Sequence, residues 1–168
     1  MEDRVRPVYA RGVYTISDDG LFNWAITYEY DDPDEYYASL EDVKGELRAL
    51  REGMESVLKE ERVTFNGIDV NPKVVSASLS FPYGPKNPAI HFVVQCKVKL
   101  RKDNTYENIY ESGTSEYGYE ALWILPPKAK VIEVVASGMV ERPADNVVFI
   151  KMEKGLRYEG YEMIRFLF

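Results

Sequence analysis

One stretch of this chain, from Pro33 to about Glu60, sets Tyr36, Leu40, Val43, Leu47, Leu50, Met54 and Val57 at alternating steps of four and three. That spacing draws an apolar stripe along a helix. The remainder reads as strands, so the stripe predicts one long amphipathic helix, residues 33–60, in a β-rich protein. Asp32 is placed to cap it, Pro33 suits a first helical position, and Asp34 and Glu35 bring negative charge to the positive end of the helix dipole. Read as heptads, Leu40, Leu47 and Met54 fall at a, and Tyr36, Val43, Leu50 and Val57 at d. Gly45 and Gly53 interrupt the same segment, each costing about 1 kcal/mol against alanine. A helix carrying both depends on tertiary burial more than on its own propensity. The expectation is therefore that the chain's own sheet covers the stripe, with a second copy as the alternative partner.

The strands are read from alternation and from punctuation by Pro and Gly. Residues 7–16 and 21–30 form a hairpin around Ser17-Asp18-Asp19-Gly20, and Phe22, Trp24, Ile26, Tyr28 and Tyr30 share one aromatic face that should be core. Residues 62–70 read as a strand interrupted at Asn66-Gly67, followed by a strand over 74–81 and a rigid loop with three prolines between Pro82 and Pro88. In the next strand Ile90, Phe92, Val94, Cys96, Val98 and Leu100 face the core, and His91, Val93, Gln95, Lys97, Lys99 and Arg101 face water. A two-residue turn at Asp103-Asn104 would fold residues 105–111 back onto it, with Ile109 opposite Val98. Strands near 117–125, 130–137, 147–153 and 162–168 complete the set. The fold class expected is α+β: a mostly antiparallel, curved sheet of about eight strands packed around one long helix. In shape alone this resembles the helix-grip folds, and shape does not assign function.

A chain of 168 residues with 45% hydrophobic and 13% aromatic residues can bury one sizeable core, and a single domain over 1–168 is expected. The net charge of -7 argues against duplex DNA as a partner. The single cysteine, Cys96, excludes an internal disulfide or a CxxC pair. Residues 1–7 are charged and no apolar run approaches the roughly 20 residues that span a bilayer, so no membrane insertion is expected. A cytoplasmic location is the reading, with an extracytoplasmic domain separated from its signal or anchor as the alternative. One glutamine, Gln95, against abundant Glu, Lys, Arg and Tyr is the residue usage of thermophiles and points to a thermophilic, archaeal source.

Motifs for catalysis are lacking. His91 is the only histidine, which excludes a zinc site with several imidazoles. Asp31, Asp32, Asp34 and Glu35 cluster at the helix entry without the spacing of a calcium loop, and capping explains them better than a cation. Walker, GxGxxG and HExxH patterns are absent from the sequence. No catalytic residue, cofactor or metal is expected, and the leading expectation is a non-enzymatic binding or interaction module whose partner is a protein or a second copy. Two alternatives come from particular residues. Lys97, Lys99 and Arg101, laid beside Tyr106 and Tyr110 by the expected hairpin, would offer cations and flat rings to single-stranded DNA or RNA. A cavity between helix and sheet lined by Trp24, Leu47 and Phe92 would hold a small apolar ligand. Tyr83, Tyr117, Tyr119 and Trp123, in or beside loops, are candidate anchors for a partner, or rings that close one end of the core.

Overall fold

Alternation in the first hairpin, strands β1 (Arg6–Ile16) and β2 (Leu21–Asp31), sends Ala10, Gly12, Ile16, Phe22 and Trp24 inward. In the computed structural model, which describes residues 4–168, this hairpin is the centre of a larger sheet. The charged start over Met1–Asp3 lies outside the described residues. After Asp32 the chain makes a 3-10 turn over Tyr37–Ser39 and enters the helix α1 (Val43–Glu60). The strands that follow are β3 (Arg62–Phe65), β4 (Ile68–Asp69), β5 (Lys73–Ser80), β6 (Ala89–Lys97), β7 (Asp103–Ile109) and β8 (Gly113–Thr114). The last six are β9 (Gly118–Ile124), β10 (Lys130–Val135), β11 (Met139–Ala144), β12 (Val147–Met152), β13 (Arg157–Tyr158) and β14 (Tyr161–Leu167).

These strands do not form one curved sheet of eight. A seven-stranded sheet runs β11-β12-β9-β1-β2-β6-β5, a five-stranded sheet runs β10-β14-β7-β3-β4, and β13 pairs with β8. The architecture is α+β and mostly antiparallel, but the large sheet is mixed, because β1 and β9 run parallel with Gly12 opposite Ala121. The two larger sheets meet through aromatic side chains: Phe22 of β2 lies 5.8 Å from Tyr106 of β7, and Tyr106 lies 4.6 Å from Trp123 of β9 between ring centroids. Packing of this kind contributes beyond simple burial, by about 1 kcal/mol per pair.

The helix is shorter than its stripe predicts. Glu35 adopts a positive φ of 56° and Leu40 is extended, so the chain from Pro33 to Asp42 winds into a 3-10 turn before α1 begins. Asp32 does cap, but it caps that turn: its buried carboxylate accepts from the backbone N–H groups of Tyr36 and Tyr37, each at 2.9 Å. Asp42 caps α1 through the N–H of Gly45. The covered stripe is Leu47, Leu50, Met54 and Leu58, while Val43 and Val57 are exposed. That is the seam of a straight helix of 3.6 residues per turn, from which a strict heptad drifts. Rather than being gripped along a curved sheet, α1 lies against the edge strand β5.

A second correction concerns β7. It does not fold back on β6, because β6 ends at Lys97 and the chain then crosses to the other sheet, where β7 pairs with β14 and β3. Ile109 stands opposite Tyr161 and Arg62 and is exposed, whereas Tyr106 is buried. The inward phase is therefore Asn104, Tyr106 and Asn108, one residue away from the phase set by Ile109. Asn66-Gly67, both with positive φ, turn β3 directly into β4 as a two-residue hairpin. Among the described residues no helix is long and apolar enough to cross a membrane.

Candidate functional site

Small residues in the middle of the large sheet leave room above it. Ala10 and Gly12 of β1 and Ala121 of β9 point inward without bulk, and around them stand the rings of Tyr14, Trp24, Tyr28, Tyr119 and Trp123. The facing sheet contributes Tyr106 and Asn108 from β7 and Glu162 from β14, the last two turns of α1 contribute Met54 and Leu58, and Glu61 follows directly after the helix. Together they enclose a cavity of about 570 Å³, the size of an ordinary small-ligand site. Glu60, Glu111 and Glu116 are exposed residues of its wall and mark where it meets water. Tyr14 and Trp123 stack almost flat, 12° between planes and 4.6 Å between centroids.

Two carboxylates enter this aromatic space. Glu162 directly opposes Asn108 across the β7–β14 ladder and lies in step with the buried Ile164 and Phe166. Burial, then the charge of Glu61, lifts its carboxyl to about 7, and the nearby indole N–H of Trp123 offsets part of that rise without completing a hydrogen bond. Glu61 is also raised, chiefly by burial, although Asn108 donates to it from Nδ2 at 2.9 Å. Desolvation disfavours an ionised carboxyl, and a second negative charge nearby adds to the effect. The hydroxyls of Tyr14 and Tyr106 are raised, mainly by burial. Among the described residues, three buried side-chain polar atoms complete no hydrogen bond: Nε1 of Trp24, Nε1 of Trp123 and Oδ1 of Asn108. All three belong to residues of this one cavity.

Arg11 also borders the cavity, but its guanidinium is engaged on the other face of the sheet. It pairs with Glu29 at 3.2 Å and Glu120 at 3.4 Å, and Glu120 in turn accepts from the hydroxyl of Tyr9. Alternation along β1 and β9 requires this separation.

The residues singled out from sequence are dispersed. Lys97 sits at the end of β6 and pairs with Asp19, Lys99 offers its carbonyl to Asn66, and Arg101 is held through its backbone by Asn104. Tyr106 is buried between the sheets, and Tyr110 borders the cavity, so the structure does not assemble these five residues into one cation-and-ring face. Tyr83 is 73% exposed on its loop. Tyr117, Tyr119 and Trp123 do converge, on the cavity wall, with Tyr119 and Trp123 inside β9. Of the three residues expected to line a ligand space, Trp24 does so; Leu47 borders a smaller space of about 210 Å³ between α1 and Ala77, and Phe92 lies in the core. Asp31 and Asp34 form ion pairs with Arg6 and Arg4. His91 bridges Thr27 and Ser80, 2.8 Å from each hydroxyl. The Cys96 thiol is pushed up to about 11 by burial, a value that suits a core residue rather than a nucleophile. Sequence reasoning misses Glu61 and Glu162, and only Glu162 leaves a sequence signal, a carboxylate in phase with Ile164 and Phe166.

No family model matches this chain, and no curated protein matches it. Among solved structures, the folded domain of the Mycobacterium tuberculosis LppM protein is similar over 98% of this chain and 92% of that domain, at 11% identity and a TM-score of 0.51. An M1 zinc metallopeptidase from Deinococcus radiodurans is similar over 96% of this chain and 42% of its own length, at 10% identity and a TM-score of 0.42. At such identities the LppM likeness concerns the fold alone.

Proposed function

We propose that this protein is a non-enzymatic binding module that takes a small ligand into the cavity between its two larger sheets and the end of α1. The observation that carries this reading is a cavity of about 570 Å³ whose lining residues include Trp24 and Asn108, each with a buried polar atom that has no partner. Buried polar groups are nearly always paired, and leaving one unpaired costs about 1–3 kcal/mol. A bound molecule that accepts from the Trp24 indole and donates to the Asn108 amide oxygen would recover that cost. A thermophilic source is proposed on residue usage alone.

The indole fluorescence of Trp24 and Trp123 should report occupancy. Titration with benzyl alcohol, benzylamine and benzoate, one skeleton in three charge states, is expected to give a saturable change with at least one probe. Ala121→Phe, which fills the floor, should abolish it while the far-ultraviolet dichroism stays native. An unchanged response in the filled variant would place the probe elsewhere and end the proposal.

Proton transfer by the same carboxylates is a second reading, favoured by Glu162 standing near 7, where an acid both holds and releases a proton. It is separated from the first by recovery of the bound molecule: a binding module returns it unaltered.

A further inference from the structure

We propose that the cavity is selective for an organic ammonium ion with N–H donors and an oxygen acceptor, its charge seated against Glu61 and Glu162 and its body among the rings. This rests on the cavity being a ligand site and names the chemistry of the occupant.

Charge argues first. The cavity wall carries Glu60, Glu61, Glu111, Glu116 and Glu162, and the one basic residue among the described residues that line it, Arg11, turns its guanidinium to the opposite face of the sheet and spends it on Glu29 and Glu120. The negative wall is thus without an internal counter-charge from lysine or arginine. An anion would meet repulsion there, and a neutral apolar molecule would leave the carboxylates unanswered.

The rings argue independently. Tyr28, Tyr110, Tyr117 and Tyr119 line the cavity half-buried, beside the carboxylates, and aromatic rings attract a desolvated cation. Finally the unpartnered atoms fix the rest of the molecule. Trp24 is 3% exposed and holds an indole N–H that lacks an acceptor, whereas the indole N–H of Trp123 is turned to Glu162. Asn108 spends its N–H on Glu61 and keeps a buried carbonyl oxygen that lacks a donor. A primary or secondary ammonium supplies the donor, and a hydroxyl or carbonyl on the same molecule supplies the acceptor. A quaternary ammonium, with no N–H, leaves Asn108 unanswered.

The test compares two probes of nearly equal shape in the intact chain: 2-amino-1-phenylethanol, an ammonium ion at neutral pH, and 1-phenylethane-1,2-diol, in which a hydroxyl replaces the ammonium. Titration calorimetry and indole fluorescence are expected to show the amine bound at least about tenfold more tightly, the preference that a desolvated cation gains from rings and carboxylates. Glu162→Gln and Glu61→Gln should each reduce the amine toward the diol while leaving the diol unchanged; both neutralise a buried carboxyl and should fold. Equal binding of the two probes overturns the ammonium assignment and leaves the cavity standing as a site for neutral ligands. A response of either probe that survives Ala121→Phe, or no response at all, overturns both.

Discussion

A Cβ atom on Gly12 would stand 2.4 Å from Cε2 of Tyr14: the ring of Tyr14 lies back across the bare backbone of the residue two places before it. Residues at this spacing share a face of the strand, so the ring has no route around a side chain there. Its other side stacks on Trp123 at 4.6 Å, which holds the ring between glycine and indole. Gly12→Ala must therefore move a ring that is packed on both sides. Overpacking of this kind costs about 1–3 kcal/mol, and urea unfolding should show that loss together with a changed near-ultraviolet dichroism. The contrasting substitution is Gly53→Ala. A Cβ at Gly53 would meet nothing within 4 Å, and in a helix interior it should stabilise by about 1 kcal/mol. Equal stability of Gly12→Ala and the parent would show that the Tyr14 ring is free to leave its place.

The raised carboxyl of Glu162 makes stability depend on pH in a defined direction. Unfolded, the group titrates at its usual value of 4.5; folded, it titrates at about 7. Below 4.5 it is protonated in both states. Between the two values only the unfolded chain releases the proton, so stability falls as pH rises, and the loss is complete above 7. The shift corresponds to at most about 3 kcal/mol. Glu61, raised chiefly by burial, adds slope of the same sign. Asp19 and Asp103 are held below their usual range by hydrogen bonds, first from Ser17 and Arg165 respectively, and they titrate below this window. Urea unfolding at pH 5, 6, 7 and 8 should thus show declining stability, with Glu162→Gln flatter across the series and more stable than the parent at pH 8. An identical slope in the two proteins would remove Glu162 from the account.

What the sequence made legible was local. The β1–β2 hairpin, the inward set Ile90, Phe92 and Val94 of β6, and the capping role of Asp32 each depend on residues a few places apart, where alternation and side-chain reach decide the outcome. The parallel pairing of Gly12 with Ala121 joins residues more than a hundred positions apart, and nothing near either glycine or alanine announces it. The site was hidden for the same reason, since its floor exists only once β1 and β9 lie side by side. Ile109, the apolar residue from which the face of β7 is read, proves exposed, and with period two that single choice also reverses Tyr106. Glu162 was readable as an exception: a carboxylate in step with Ile164 and Phe166 must be desolvated, and desolvated acids mark functional sites more often than chance.

The boundary between a coiled-coil reading and a straight-helix reading of α1 falls on two adjacent residues. Val57 completes the heptad but is 50% exposed; Leu58 is outside the heptad and 8% exposed. On a helix of 3.6 residues per turn, positions 57 and 58 lie equally far to either side of the direction shared by Leu47 and Leu50, so it is the packing around α1, and not helix phase, that buries Leu58 and leaves Val57 exposed. Both residues border the cavity, but only Leu58 is buried there, so its removal enlarges a space that already exists. Leu58→Ala should cost about 2–5 kcal/mol, as truncation of a buried leucine does, whereas Val57→Ala should change stability by no more than about 0.5 kcal/mol. Chemical denaturation of the two variants beside the parent, with light scattering to follow association, separates the cases. A large loss at Val57 with dissociation of an oligomer, and little loss at Leu58, would mean that the heptad seam grips a second copy and that the helix is not seated on its own sheet.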